Sequence, residues 1–134
     1  MPCAGPLFQL LYVSQMTLGC DFGVVKDIVS AARVSNTALG ISGALLFDGE
    51  RFCELVEGPE ADVRSLIDRI AGDPRHTGLT VVFSGHSLSG RAMTRWASGY
   101  CDPDELAVFD VDAGLRGQPA LNALVSILAA ADTD

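Results

Sequence analysis

Two segments of strand length, Ile41 to Phe47 and Arg51 to Glu57, flank the dipeptide Asp48-Gly49, and this arrangement constrains the fold more than any other stretch of the chain. Asp-Gly readily accepts the positive φ angles of a type I′ turn, so the two segments are expected to pair as an antiparallel hairpin. Ile41 to Phe47 is apolar at adjacent as well as alternate positions, which suits a strand covered on both faces.

The flanking segments supply the cover. Leu7 to Val13 is an apolar run of strand length that ends in the polar stretch from Ser14. Asp21 can cap a helix whose apolar positions Val25, Ile28, Val29 and Ala32 recur at helical spacing, before Asn36 and Gly40 interrupt it. Pro59 suits the first turn of a second helix with the face Val63, Leu66, Ile67 and Ile70, and Gly72 suits a left-handed exit from it. Leu79 to Phe83 reads as a fourth strand, Ser84 to Thr94 as a Gly/Ser-rich loop, and Trp96 to Cys101 as a short fifth strand. The predicted class is α+β: a ferredoxin-like βαββαββ order, with a mixed five-stranded sheet, two helices on one face and a C-terminal helical segment. Residues 1–102 form the expected domain. In the extension 103–134, Leu106, Val108, Phe109 and Val111, then Leu121, Leu124, Val125 and Leu128, offer an apolar stripe for the other sheet face or for a second copy of the chain.

Composition removes several function classes. A chain of 134 residues is one domain's worth, and 9 basic against 17 acidic side chains leave a net charge of −8 that opposes nucleic-acid binding. No segment has the length and apolarity of a membrane span, and Met1 to Pro6 lacks a basic region ahead of an apolar one, so a cytoplasmic location is expected. Cys3, Cys20, Cys53 and Cys101 are scattered and read as free thiols there. Gly85-His86-Ser87-Leu88-Ser89 falls one glycine short of a nucleophile elbow, Cys53 has no evident orienting partner, and two distant histidines make a poor metal site. No enzymatic activity and no metal are expected.

Ordered short matches then point to a family. Tyr12-Val13-Ser14, Ser35-Asn36, Gly40-Ile41-Ser42-Gly43, Asp48-Gly49, Phe52 with Val56-Glu57-Gly58, Asp73-Pro74-Arg75-His76 and Trp96 together resemble the BLUF family, the blue-light sensors using FAD, from Leu10 to Tyr100. The resemblance implies a small signalling module that holds FAD, with FMN or riboflavin as alternatives, between its two helices. It implies Tyr12 as electron donor to the excited flavin, Asn36 on the ring's carbonyl and imide edge, Ile28 packed on the ring, Arg75 toward the phosphate side and His76 beside the ring. Ser35 and Phe52 belong to the same implied binding set, and Trp96 matches the family's mobile tryptophan.

The chain departs from the pattern at two implied photoactive positions. Glu54 stands where the family has a glutamine between tyrosine and flavin, and Ser98 stands where a methionine usually follows the tryptophan. An amide donates and accepts, whereas an ionised carboxylate only accepts, so a flavin at Glu54 favours the protonated acid. Read one at a time, Tyr12 and Trp96 are packing aromatics, Asn36 is a helix stop, Arg75 and His76 are loop residues, and Glu54 is a surface acid. The alternative function is a flavin-free relative that serves as a protein-interaction module. On either reading output passes to a downstream signalling protein or through self-association, with a homodimer or higher oligomer left open.

Overall fold

The computed structural model of the chain describes residues 7–110, 114–131 and 133; Cys3 and Val111 lie outside them. Strand β1 (Leu7–Met16) leads to helix α1 (Phe22–Ala38), the hairpin strands β2 (Ser42–Phe47) and β3 (Arg51–Pro59), helix α2 (Glu60–Ala71), strand β4 (His76–His86) and strand β5 (Trp96–Tyr100). A short helix α3 (Pro103–Leu106), a 3-10 turn (Ala107–Phe109) and helix α4 (Gln118–Ala130) follow. The sheet order is β4-β1-β3-β2-β5. All neighbours are antiparallel except β2 and β5, which run parallel. The architecture is therefore the expected α+β, βαββαββ arrangement with a mixed five-stranded sheet.

The hairpin is present, but its turn is not type I′. That type needs positive φ at both central residues, and among the described residues only glycines have it, Gly49 at φ 104 included. The Asp48 carboxylate instead accepts from the backbone N–H of Glu50 at 2.9 Å and of Arg51 at 2.7 Å. The side chain thus closes the turn itself, as aspartate does in Asx turns. Gly43 is a different case, with φ +142 and a close approach to the neighbouring strand. A Cβ built there would lie 2.8 Å from the Leu55 carbonyl carbon and closer still to its oxygen.

Several element ends differ from the sequence expectation. β1 continues past Val13 to Met16 and β4 opens at His76, because Gln15 pairs with Thr77 and Met16 with His76 along the ladder. This inter-strand pairing leaves no periodicity in the local sequence. Gly72 exits α2 with φ −85, an ordinary right-handed value. Pro59 is the N-cap of α2, one position before the first turn. Asn36 does not stop α1; the helix runs on to Ala38, and Asn36 is buried within it.

The two sheet faces are covered separately. On one, α1 and α2 pack Val25, Ile28, Val29, Val63 and Leu66 against Tyr12, Leu45, Phe47, Phe52 and Val56. On the other, Leu106, Phe109, Leu121 and Leu124 pack against Leu11, Leu46, Cys53 and Leu55. Of the expected C-terminal stripe, Val108 and Val125 are instead exposed. α4 is 13 residues long, and a stripe read with every apolar position inward is wider than the face one helix can bury.

Candidate functional site

Asp21 caps α1 by accepting from the N–H groups of Gly23 and Val24, and this fixes the phase of the helix. Ile28, Ala32, Ser35 and Asn36 then fall on one side at helical spacing. Leu66, Arg69 and Ile70 do the same on α2. Between the helices, above Tyr12, Leu45, Phe52 and Glu54, lies a cleft of about 220 Å³ whose mouth carries Asp73, Arg75 and His76. The volume is below the ~300–1,000 Å³ of drug-sized ligand sites. It suits a flat ring system whose tail extends outside.

Glu54 sits at the cleft floor with only 3% of its surface exposed. Tyr12 pairs with it directly across β1 and β3. The phenol O–H of Tyr12 donates to Glu54 Oε1 at 2.6 Å, and the Trp96 indole Nε1–H donates to Oε2 at 3.0 Å. Burial raises the Glu54 carboxyl above its ordinary value of 4.5, while the two hydrogen bonds pull it part of the way back. Burial, then the adjacent acid, raises the Tyr12 phenol well above 10.0. Among the described residues no guanidinium or ammonium group bonds Glu54, so the desolvation cost of its charge has no direct counterion there.

Asn36 is 1% exposed, and among the described residues neither its amide nitrogen nor its amide oxygen has a hydrogen-bond partner. Leaving both unpaired costs about 1–3 kcal/mol per group. An adjacent donor and acceptor lining the cleft fit the imide edge of an isoalloxazine, which presents the complementary pair. This orphaned amide is the test of fit for a flavin, and the residues meet it.

The mouth is held by its own polar pairs. His76 Nε2–H donates to the Ile70 carbonyl, which can only accept, so in the neutral ring Nδ1 accepts from the Ser14 hydroxyl at 2.8 Å. Arg75 Nη2 donates to Asp73 Oδ2 at 2.6 Å and its Nε to Asp73 Oδ1 at 3.0 Å. That pairing holds the Asp73 carboxyl below its ordinary value. Arg75 is partly exposed and part of its fork is already engaged, which leaves fewer donors for a phosphate.

The structure brings Tyr12, Ile28, Ser35, Asn36, Phe52, Glu54, Arg75 and His76 to one cleft. Trp96 reaches it through Glu54. Ser98 does not; its hydroxyl accepts from Arg33 Nη2 at 3.2 Å, outside the cleft. Leu66 and Ile70, read in the sequence as the apolar face of the second helix, and Asp73, part of the Asp73-Pro74-Arg75-His76 match, also line the cleft, as does Arg69, which no sequence pattern marked. Arg33 was marked by no sequence pattern, and Glu57 only as part of the Val56-Glu57-Gly58 match. Fully buried Glu57 accepts from Gln9 Nε2 and from the N–H groups of Ala92 and Met93, pinning the loop that enters β5. Gln9 directly opposite Glu57 on the paired strands was the available signal. Cys53 lies in the opposite core, where burial pushes its thiol up and away from the reactive thiolate form. Among the described residues no three His, Cys, Asp or Glu side chains cluster as metal ligands.

Residues 7–99 match the family model described as BLUF, sensors of blue-light using FAD. The chain is 32% identical over 92 residues to photoactivated adenylate cyclase subunit alpha of Euglena gracilis, covering 67% of this chain and 9% of that protein. It is 33% identical over 85 residues to the blue light- and temperature-regulated antirepressor BluF of Escherichia coli strain K12, covering 63% of this chain and 21% of that one. The chain therefore spans about a tenth of the cyclase subunit and a fifth of the antirepressor. The dark-state structure of BlrB, a BLUF protein, superposes with a TM-score of 0.75 at 28% identity over 96% of this chain and 98% of that one. With its cleft, its orphaned amide and these matches, the chain belongs to the BLUF family.

Proposed function

We propose that this protein is an FAD-binding blue-light sensor whose photochemistry is altered by Glu54. Members of the family are flavin-binding photosensors, and the domain is a signalling module without enzymatic activity of its own. The single observation that carries the reading for this chain is Asn36, whose buried amide, unpartnered among the described residues, lines the cleft between the two helices. Asn36 would hold the imide edge of the flavin, Ile28 and Phe52 its faces, and Ser35, His76 and Arg75 its margins. When bound, the flavin supplies the absorption of blue light and an acceptor for an electron from Tyr12.

Glu54 stands where the photocycle of the family calls for an amide that can be rearranged. A protonated Glu54 would give the cleft one O–H donor, and a flavin carbonyl or N5 can accept it. Tyr12 and Trp96 already donate to its two oxygens. A carboxylic acid has no amide to turn or tautomerise, so the stable red shift of the family is expected to be small or absent. Absorption spectra of the FAD-reconstituted protein before and after blue light test this. A lasting shift overturns the role given to Glu54, and failure to take up FAD turns the reading to a flavin-free interaction module.

The sensor unit of this proposal is 1–102, with 103–134 as the extension through which a downstream partner is addressed in the cytoplasm. α4 packs on the sheet face opposite the cleft, the first of the two roles expected of the extension. No helix among the described residues is long and apolar enough to cross a membrane.

A further inference from the structure

Arg33 faces β5 from α1. Its guanidinium carbon lies 5.4 Å from the centre of the Trp96 ring. The same group donates from Nη2 to Ser98 Oγ at 3.2 Å. Trp96 and Ser98 are two residues apart on one strand, so their side chains leave the same face of the sheet, and Arg33 spans both. A guanidinium is planar with donors around its rim, which lets it lie against an indole and bond a hydroxyl at once. The indole in turn donates its N–H to Glu54.

We infer that Arg33, anchored by Ser98, is a positioning residue that holds the Trp96 indole inward and aims its N–H at Glu54. The inference rests on the proposed role of Glu54 and Trp96 in the cleft and adds a contact that lies outside it. It also accounts for Ser98. A thioether sulfur is a weak acceptor, so a methionine at this position could not anchor the guanidinium. In this chain the departure at Ser98 and the presence of Arg33 are two halves of one contact.

The chain contains one tryptophan. Its fluorescence and its single indole N–H resonance therefore report on Trp96 alone, with or without flavin. Flavin-free Arg33→Ala is expected to increase the outward indole population about fivefold, the factor that one cation–π contact corresponds to. The readouts are a red-shifted emission, stronger acrylamide quenching and an N–H resonance moved toward that of a free indole. Arg33→Lys should recover part of the effect, because it keeps the charge and loses the fork. Ser98→Ala should move all three readouts in the same direction by less. An Arg33→Ala protein with unchanged far-UV circular dichroism and an unmoved resonance overturns the inference. If Arg33→Ala does not fold, wild-type readouts from both Arg33→Lys and Ser98→Ala overturn it. FAD uptake, followed by absorbance in the same samples, separates this result from the functional reading; wild-type protein that takes up no FAD sinks that reading and leaves the indole comparison intact.

Discussion

Tyr12 and Glu54 face each other across β1 and β3, and the buried phenol donates to the buried acid at 2.6 Å. Direct pairing on adjacent strands fixes both Cβ positions, so the contact is set by the sheet and not by flexible loops. Whatever the cleft holds meets this pair at its floor.

The acid should make stability depend on pH. Its folded pKa is raised above the ordinary 4.5, so its folded state binds the proton more tightly than the unfolded chain does. Its contribution is fully present below about 4.5 and is lost as pH rises toward the raised value. Glu54→Gln removes this titration. The difference in urea midpoint between Glu54→Gln and wild type is expected to grow in favour of the variant as pH increases from 4 to 8. A constant difference across that range would contradict the raised pKa.

Asn36 should limit the stability of the flavin-free protein. Asn36→Leu replaces the orphaned amide with an apolar group of similar size. We expect a gain of about 1 kcal/mol in flavin-free stability by urea denaturation and a loss of FAD uptake. If Asn36→Leu destabilises the flavin-free protein by a comparable amount, the amide already has a partner and needs no flavin edge to satisfy it.

Gly43 should tolerate no side chain. A Cβ there would collide with the Leu55 carbonyl, and the φ of +142 is strained for any L residue. Gly43→Ala is expected to cost about 3 kcal/mol or more, since the obstacle is backbone on the adjacent strand. Chemical denaturation measures it, and a loss below about 1 kcal/mol would show that the hairpin shifts to accommodate the methyl group.

The C-terminal helix should behave as part of the core. Leu124 is fully buried and Val125 is 41% exposed, so adjacent substitutions give a clean contrast. Leu124→Ala should cost about 2–5 kcal/mol, whereas Val125→Ala should stay within about 0.5 kcal/mol. Equal effects at the two positions would mean that α4 is not seated on the sheet as described.

The local sequence determined the element order. The hairpin, the capped first helix and the apolar face of the second are nearest-neighbour and periodic effects, and these show in a linear chain. Tyr12, Asn36 and Glu54 were legible as a set only through the family resemblance, because each alone reads as packing, helix stop or surface acid. Tertiary structure decided the rest. The ladder set the true ends of β1 and β4, an Asp48 side chain replaced the anticipated turn geometry, and helix packing chose which apolar residues of α4 face inward. The same packing left Asn36 without a partner and placed Arg33 against Trp96. Apart from the Asp48 turn, which closes on residues two and three positions away, these are contacts between residues far apart in the chain, and no local periodicity encodes the distance between them.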